Sequence, residues 1–415
     1  MRALVLAVGA LVMVAACGRV PGGQVSPGGY KLYEAAATGS TQQLSIIDSH
    51  SQSVERSMPL GTPSPDWTHL YTVKGDLLVD LDPRTGSVLH QLRLPGYYKL
   101  PPATISGVPG GLSPNGHWLV LESFESGSVP SGSHFVVVDT TYAGKPQTFD
   151  LNGYYQFDAV NDGGGRVYLI QYLSNSQYYV RFYNVPARTL DPQIVFDKSD
   201  GLNAMAGTRL SGVSSRDDQY LYSLYVRSDG TAFIHALSLE NPIAFCIDLP
   251  GTASSPDGFH WSLALNAAGT HLYATNGATG IVTDVGVEGG VPGAPRAAKL
   301  SNAVSASVPG IKDVAAKEFG GNAAAVSPDG KTLVMAGKTG VVWIDTATLN
   351  AKDRQLSSWN VWSLAMTPDG TTVYAMNDAG MIAELPMNGA HKATTFGGAT
   401  GQPLDLIRVA AAPGS

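Results

Sequence analysis

Hydrophobic and polar positions along the chain fall into short alternating runs that are separated by turn residues. The clearest case is VSPDGKTLVMAG at 326–337, which returns nearly unchanged as MTPDGTTVYAMN at 366–377. Pro, Asp and Gly are the residues that shape a tight turn, and the alternating apolar residues beside them are typical of two antiparallel strands. The pattern therefore predicts a β-hairpin at both places.

Weaker versions of the same turn recur along the whole chain. Apolar residues that follow these turns are separated by 40 to 61 positions, and they are Leu70, Leu119, Val167, Leu221, Leu272, Leu333 and Val373. A second and a third alternating run follow each of them, so each unit reads as four short strands. An eighth apolar pair, Leu32 and Tyr33, precedes Leu70 without a turn of its own.

Repeated units of four short strands, without amphipathic helices between them, predict an all-β fold, a β-propeller of four-stranded antiparallel blades. The first unit lacks an innermost strand, whereas PLDLIRVAA at 403–411 is an apolar run with no unit after it. We therefore expect the C-terminal strand to complete the first blade and close the ring, which hides the last open sheet edge. Eight units favour eight blades. The short spacing before Leu70 keeps seven as the alternative.

Several phrases in the last third of the chain resemble a known repeat family. LYATN at 272–276 is similar to the Tyr-Val-Thr-Asn tetrapeptide of the YVTN-type β-propeller repeat, and VYAMN at 373–377 and WIDTATLN at 343–350 resemble its other hallmarks. The resemblance implies a bacterial propeller, usually exported, related to surface-layer proteins and lactonase-like enzymes. Because the motif residues build hairpins, the resemblance assigns no catalytic residue.

Residues 1–16 are typical of a signal peptide. Arg2 supplies a positive charge, residues 3–13 form an apolar core, and small residues at 14–16 precede Cys17. This arrangement resembles a bacterial lipobox, which implies cleavage before Cys17 and a lipid on its sulfur. The chain would then be a lipoprotein, held at the membrane in the extracytoplasmic cell envelope. A membrane-spanning helix is disfavoured, because the apolar run is shorter than the roughly 20 residues that span a bilayer.

The remaining composition defines the domains and limits the partners. Residues 17–29 are rich in Gly and Pro and predict a lipid-anchored tether, which leaves 30–411 as a single propeller domain, expected to be a monomer. The net charge is −7 and no basic run occurs, which excludes nucleic acid as an expected partner. With Cys17 lipidated, Cys246 is a lone thiol, and we interpret it as a small buried apolar side chain.

Familiar metal, cofactor and catalytic motifs are missing from the sequence. The histidines lack HxH, HxxxH and HExxH spacings, and His69 and His271 occupy one hairpin position in two different repeats. Residues 82–86, DPRTG, match a strand-ending turn better than a calcium loop. Neither GxSxG nor a phosphate-binding loop occurs. We therefore expect no metal and no cofactor.

Propellers bind ligands with the loops that join strand four to the next strand one and strand two to strand three. Two of these loops share a Tyr-Tyr pair and two others hold tryptophans, so aromatic side chains could meet at one rim of the ring. These candidates are Tyr97, Tyr98, Tyr154, Tyr155, His260, Trp261, Trp359 and Trp362. Aromatic faces with polar edges suit a glycan, a peptide or a loop of a partner protein. In the alternative interpretation, the same rings pack between blades.

Ionisable residues in or beside the predicted inner strands are the candidates for chemistry in the channel. They are Asp158, Arg209, His260, Asp405 and Arg408. The sequence favours a binding or scaffold protein for an envelope protein, peptide or glycan at one rim. The alternative is a lactonase-like or other hydrolase at the mouth of the channel, in which a carboxylate, a histidine and an arginine act as base and oxyanion stabiliser. Convergence of three such groups would favour the enzyme.

Overall fold

A computed structural model shows eight small β-sheets. It describes residues 29–173, 177–198, 201–253, 256–300, 322–338, 340–387 and 393–412. The predicted signal peptide, Cys17 and nearly all of the tether therefore lie outside the described residues. Apart from one 3₁₀ turn, Asp257–His260, the described elements are strands. None of the described residues belongs to a helix with the length and apolar character that a membrane span requires.

The strands of blades 1 to 4 follow one another along the chain, apart from the inner strand of blade 1. Blade 1 contains β1 (Tyr30–Thr38), β2 (Thr41–Asp48) and β3 (Ser53–Pro59), and blade 2 contains β4 (Thr62–Pro63), β5 (Leu70–Lys74), β6 (Leu77–Leu81) and β7 (Val88–Arg93). Blade 3 contains β8 (Trp118–Phe124), β9 (Gly132–Asp139) and β10 (Gln147–Asn152), and blade 4 contains β11 (Tyr155–Val160), β12 (Arg166–Tyr172), β13 (Gln177–Asn184) and β14 (Thr189–Leu190).

Two short strands, β15 (Phe196–Asp197) and β16 (Met205–Ala206), lie in the connection to blade 5. Blade 5 contains β17 (Thr208–Ser214), β18 (Tyr220–Val226), β19 (Ala232–Ser238) and β20 (Ile243–Leu249), and blade 6 contains β21 (Trp261–Leu265), β22 (His271–Asn276), β23 (Ile281–Glu288) and β24 (Val291–Lys299). Blade 7 contains β25 (Ala324–Val326), β26 (Thr332–Gly337), β27 (Gly340–Asp345) and β28 (Ala351–Gln355), and blade 8 contains β29 (Val361–Met366), β30 (Thr372–Asn377), β31 (Met381–Pro386) and β32 (Thr394–Gly397). The last strand is β33 (Gln402–Ala411).

The C-terminal strand closes the ring, as the sequence predicted. The first sheet has the order β3-β2-β1-β33, and β33 runs antiparallel to β1 with Tyr30 opposite Ala411 and Ala37 opposite Gln402. The last strand of the chain therefore covers the inner edge of β1, which would otherwise be unpaired. The fold is an all-β propeller of eight blades, which decides between the predicted eight and the alternative of seven.

The hairpin turns form for the reason that the sequence indicated. In the turn at 327–330 the hydroxyl of Ser327 donates to Asp329 at 2.6 Å and accepts the N–H of Thr332 at 3.0 Å. Gly330 has φ +73°, the left-handed conformation that glycine adopts without strain. These local bonds fix the register of the two strands that flank each turn.

The core lies between neighbouring blades rather than in one central mass. Six of the seven apolar residues after the turns have no exposed surface, and these are Leu70, Leu119, Val167, Leu272, Leu333 and Val373. Leu221 is half-buried. Burial of one such side chain stabilises the fold by roughly 1.5–3 kcal/mol, so each blade depends on its neighbours.

Candidate functional site

One mouth of the central channel is covered by the loop that joins blades 2 and 3. Residues 101–111 of this loop form a hairpin, since Gly110 N–H donates to Pro101 O at 2.7 Å. The N–H of Ile105 donates to Leu210 O of blade 5 at 2.8 Å, while Val108 packs into the apolar cluster of blades 1 and 2. Blades 1 and 5 are opposite in an eight-bladed ring, so the covering loop crosses the mouth. A ligand approaching this mouth meets the loop and its margins.

A cavity of about 480 Å³ lies between the covering loop and blades 4 and 5. Three tyrosine rings and several polar side chains line it, including Tyr172, Tyr178, Tyr225, Gln156, Thr104 and Arg209. A second cavity of about 200 Å³ follows the channel along the inner strands of blades 2 to 5, and both cavities are lined by Arg209. The larger volume is within the range of small-molecule and peptide-side-chain sites. We refer to it as the blade 4/5 cavity.

An ion pair between Asp158 and Arg209 joins the inner strands of blades 4 and 5 beside this cavity; Arg209 lines both cavities and Asp158 lines the smaller one. Arg209 Nη1 donates to Asp158 Oδ1 at 3.0 Å, with the carboxylate 1% and the guanidinium side chain 17% exposed. The ladder with the neighbouring strand is irregular at both residues, and such bulges redirect side chains. Within the described part of the chain, Asp158 Oδ2 and Arg209 Nε have no hydrogen-bond partner. Both groups keep capacity for further bonds.

The tyrosines of the cavity are buried but incompletely bonded. Tyr178 and Tyr225 stack with ring centroids 5.8 Å apart, and burial raises the pKa of each well above its usual value. The two hydroxyls interact with each other, and neither makes a hydrogen bond of good geometry to any other described residue. Tyr172 is more open, stacks on Tyr154 at 4.8 Å and donates to Gln156 Oε1 at 2.8 Å. Burial raises the pKa of Tyr172 to about 12, so the phenol remains a donor at neutral pH.

The predicted aromatic rim residues lie in separate places. Of the eight, Tyr154 alone stacks on a ring that lines the blade 4/5 cavity. Tyr97 is 78% exposed, and Tyr98 packs at the edge of the cluster between blades 2 and 3. The other members are Tyr155, Trp261 and His260, which are buried or nearly so, and Trp359 and Trp362, which are half-buried on blades 7 and 8.

The predicted channel residues also occupy different environments, apart from the pair formed by Asp158 and Arg209. Burial lowers the pKa of His260 to about 4, and the charges that act on it are those of Lys338 and Asp257. The guanidinium of Arg408 lies over the ring of Trp67 at 4.7 Å. Asp405 accepts a hydrogen bond from Ser363, and burial raises its pKa to about 6. None of these three groups contacts another, so a base and an oxyanion stabiliser do not meet.

Polar residues between blades 6, 7, 8 and 1 form a bonded set that sequence reasoning missed. The N–H of Ala323 donates to Ser262 Oγ at 3.0 Å, and the N–H of Leu406 donates to Ser363 Oγ at 3.0 Å. Each serine therefore joins one inner strand to the next. The Trp-Ser-Leu sequence that 261–263 and 362–364 share was the signal that could have indicated it.

Two buried glutamates serve the same purpose elsewhere in the ring. Glu34 Oε2 accepts the N–H of Ala399 at 2.6 Å, and Glu122 Oε2 accepts the N–H of Phe157 at 3.0 Å. Burial raises the pKa of each carboxyl to about 7. Both side chains contribute to structure at the blade junctions and neither lines the blade 4/5 cavity.

Sequence reasoning also missed a group of possible metal ligands in blade 5, formed by Asp197, His235 and Cys246. His235 Nδ1 lies 3.5 Å from Cys246 Sγ and 3.7 Å from Asp197 Oδ2. His235 stands directly opposite Cys246 in the β19–β20 ladder, a register that hairpin symmetry could have predicted. By contrast, His69 and His271 pair separately with Asp80 and Asp284 on blades 2 and 6.

These features define the class of the protein as an eight-bladed β-propeller with one covered mouth. No protein-family model matches the chain, and neither does any curated protein. Solved structures do match. Apo AztD from Citrobacter koseri is 10% identical with a TM-score of 0.54, covering 92% of this chain and 98% of that one.

Two further solved structures are similar over most of the chain. The dihydro-heme d1 dehydrogenase NirN in complex with DHE is 14% identical with a TM-score of 0.52, covering 90% of this chain and 73% of its own. The periplasmic gluconolactonase PpgL of Pseudomonas aeruginosa is 18% identical, and the match covers 92% of this chain and 99% of PpgL. Its TM-score of 0.45 is too low for any conclusion about this chain. At these identities the likeness to AztD and NirN shows the fold alone.

Proposed function

We propose that this chain is a lipid-anchored binding protein of the bacterial cell envelope, and that its ligand is a glycan or peptide held in the blade 4/5 cavity. The proposal rests on buried polar groups that are incompletely bonded. Arg209 Nε and the hydroxyls of Tyr178 and Tyr225 belong to residues that line this cavity, and Asp158 Oδ2 belongs to a residue that lines the smaller adjoining cavity. A buried polar group without a partner costs about 1–3 kcal/mol. A bound ligand that supplies these bonds explains why the fold keeps them.

The shape and chemistry of the cavity indicate the class of ligand. Tyr172 is partly exposed and is supported from behind by Tyr154, so it offers an aromatic face to a sugar ring or an apolar side chain. Arg209 Nε and the tyrosine hydroxyls donate, whereas Asp158 Oδ2 accepts. Because the ion pair balances its own charge, a ligand rich in hydroxyls or amides, with at most one carboxylate, complements the cavity best.

The alternative of a hydrolase has less support. Nucleophile, base and oxyanion donor would have to lie within hydrogen-bond reach of one point. Among the predicted channel residues, only Asp158 and Arg209 are in contact, and both are engaged with each other. We therefore place binding ahead of catalysis at this mouth.

Binding can be tested on the full-length protein in detergent with three probe sets: neutral oligosaccharides, oligosaccharides that contain uronic acids, and short peptides. Calorimetry is expected to show that one of these classes binds. Tyr172→Ala is then expected to weaken that binding at least about 10-fold, since a buried aromatic anchor contributes on the order of 1–2 kcal/mol. Tyr97→Ala is the matched control, because this tyrosine is exposed on another part of the rim.

Three outcomes would overturn the binding site. Failure of all three probe classes to bind argues against a glycan or peptide ligand. Binding that Tyr97→Ala weakens and Tyr172→Ala leaves intact moves the site to a different part of the rim. Turnover of a probe into products favours the hydrolase.

The anchor is tested separately. The sequence at 14–17 supports cleavage before Cys17 and lipidation of its sulfur. We expect mass spectrometry of the mature N-terminus to show a lipid-modified Cys17, and we expect Cys17→Ser to move the protein out of the membrane fraction. An uncleaved Met1, or an unmodified Cys17 on a membrane-bound protein, contradicts lipid anchoring.

A further inference from the structure

Asp197, His235 and Cys246 form a compact group of three different ligand types on the outer strands of blade 5, and we call them the blade 5 cluster. One donor atom from each lies within 4.8 Å of the others. Asp197 and His235 are buried, whereas Cys246 is partly accessible to solvent. Carboxylate, imidazole and thiol groups rarely meet inside an apolar sheet, because burial of such groups is costly unless they are engaged.

The chain departs from its regular pattern to complete this cluster. Every other ladder among the described strands is antiparallel, but β15 runs parallel to β20, with Phe196 beside Ile243 and Asp197 beside Ala244. The connection between blades 4 and 5 thereby adds a fifth strand to the blade 5 sheet. This added strand places Asp197 next to a histidine and a cysteine that the β19–β20 hairpin has already set opposite each other.

The geometry does not match a Cys-His-Asp catalytic triad. In a triad the nucleophile and the carboxylate contact different ring nitrogens of the histidine. Here Cys246 Sγ and Asp197 Oδ2 both face His235 Nδ1. The histidine therefore cannot pass a proton from the thiol on one side to a carboxylate on the other.

The two distances from His235 Nδ1 match edges of a zinc tetrahedron. With Zn–S near 2.3 Å and Zn–N or Zn–O near 2.0–2.2 Å, tetrahedral angles separate sulfur from nitrogen by about 3.5 Å and nitrogen from oxygen by about 3.4 Å. The observed separations are 3.5 Å between Nδ1 and Sγ and 3.7 Å between Nδ1 and Oδ2. We propose that the blade 5 cluster is a zinc site with Cys246, His235 and Asp197 as ligands and a fourth position for water.

The surroundings of the cluster suit a metal ligand set. Zinc binding converts the Cys246 thiol to a thiolate, and the released proton passes to solvent. Because Cys246 is partly accessible, an ion can reach the cluster from outside the ring.

The experiment uses the full-length protein with Cys17→Ser, so that Cys246 is its single thiol. After incubation with Zn²⁺ and removal of loosely bound metal, elemental analysis is expected to find about one zinc per chain. Addition of Co²⁺ instead should give thiolate charge-transfer absorption in the near ultraviolet. Cys246→Ala and His235→Gln are expected to weaken zinc binding more than about 100-fold, because even outer-shell changes cost about 10- to 100-fold.

The matched control is His134→Gln, since His134 and Asp150 form an exposed pair at 2.7 Å without a thiol. This variant should bind zinc normally.

A second readout needs no substitution of a zinc ligand. Zn²⁺ should slow alkylation of Cys246 at least about 10-fold, and Mg²⁺ should not. The proposal is overturned if zinc is not retained, if alkylation is unaffected by Zn²⁺, or if folded Cys246→Ala and His235→Gln proteins bind zinc as tightly as the parent. These results are independent of whether the blade 4/5 cavity binds a ligand.

Discussion

Two interfaces between blades satisfy their polar groups differently, although both are built from the same repeat. They are the interface between blades 4 and 5 and the interface between blades 8 and 1. Between blades 8 and 1, Ser363 accepts the N–H of Leu406, donates to Asp405 and thereby joins two inner strands. Between blades 4 and 5, the hydroxyls of Tyr178 and Tyr225 have no well-formed hydrogen bonds to the described residues. The hydroxyl of Ser363 is therefore bonded on both sides, whereas the two tyrosine hydroxyls are not.

Bonded and unbonded buried groups indicate different roles in a repetitive fold. A buried donor or acceptor that is bonded across a blade junction stabilises the ring, since an unsatisfied group costs about 1–3 kcal/mol. A junction that holds a ligand can leave groups unbonded, because the ligand completes them. We therefore expect removal of the bonded groups and removal of the unbonded groups to have opposite effects on stability.

The largest effect is expected from removal of the closing strand. Deletion of residues 402–415 takes β33 from the first sheet and leaves β1 with an open inner edge. We expect the shortened chain to lose its cooperative thermal unfolding transition and to aggregate. Deletion of residues 413–415 is the control and should unfold as the full-length chain does. A cooperative transition in the 402–415 deletion would contradict closure by this strand.

The next effect is expected at Ser363, between blades 8 and 1. Ser363→Ala removes the acceptor for the Leu406 N–H and the donor to Asp405, and both partners stay buried. Denaturant unfolding should show a loss of about 2–3 kcal/mol. Ser53→Ala, at an exposed position of β3, should change stability by less than about 0.5 kcal/mol. Equal effects of the two substitutions would contradict a stabilising role for the hydrogen bonds of Ser363.

A smaller effect, which depends on pH, is expected at Glu122. Burial raises its pKa from 4.5 to about 7. Between pH 4.5 and 7, the carboxyl is therefore protonated in the folded protein and ionised in the unfolded chain. The contribution of Glu122 to stability should therefore fall as the pH rises from 4.5 to 7 and level off above that. Glu122→Gln keeps an acceptor for Phe157 N–H and lacks the ionisation.

At pH 8 the Glu122→Gln variant should be more stable than the parent, by on the order of 2 kcal/mol, whereas near pH 4 the two should be similar. Thermal unfolding measured across this range provides the check. Glu288→Gln, at an exposed position of β23, serves as the control and should follow the parent at each pH. If the stability of the parent relative to that of Glu122→Gln rises between pH 4.5 and 7, the raised pKa of Glu122 is refuted.

Much of the fold could be predicted from local patterns. The Pro-Asp-Gly turns and the buried residues after them, such as Leu272 and Leu333, define each hairpin, and the unpaired run at 403–411 predicts ring closure. These features depend on residues close in sequence. Eight blades then follow from the number of units.

The candidate site was only partly predictable, because it depends on contacts between distant residues. Asp158 and Arg209 could be placed on inner strands, but their ion pair requires the bulges at both positions. Tyr178 and Tyr225 look like ordinary alternating strand residues. The approach of Asp197 to blade 5 arises from a parallel pairing in an irregular connection, which no periodic pattern indicates.

The smallest effect is expected at the tyrosine pair between blades 4 and 5. The double variant Tyr178→Phe/Tyr225→Phe removes two buried hydroxyls that lack well-formed bonds and keeps both stacked rings. Its free energy of unfolding, measured in the same buffer as that of Ser363→Ala, is predicted to equal that of the parent or exceed it by up to about 1 kcal/mol. A loss of 2 kcal/mol or more, similar to the loss expected for Ser363→Ala, would show that the blade 4/5 hydroxyls stabilise the ring and would contradict their assignment to a ligand.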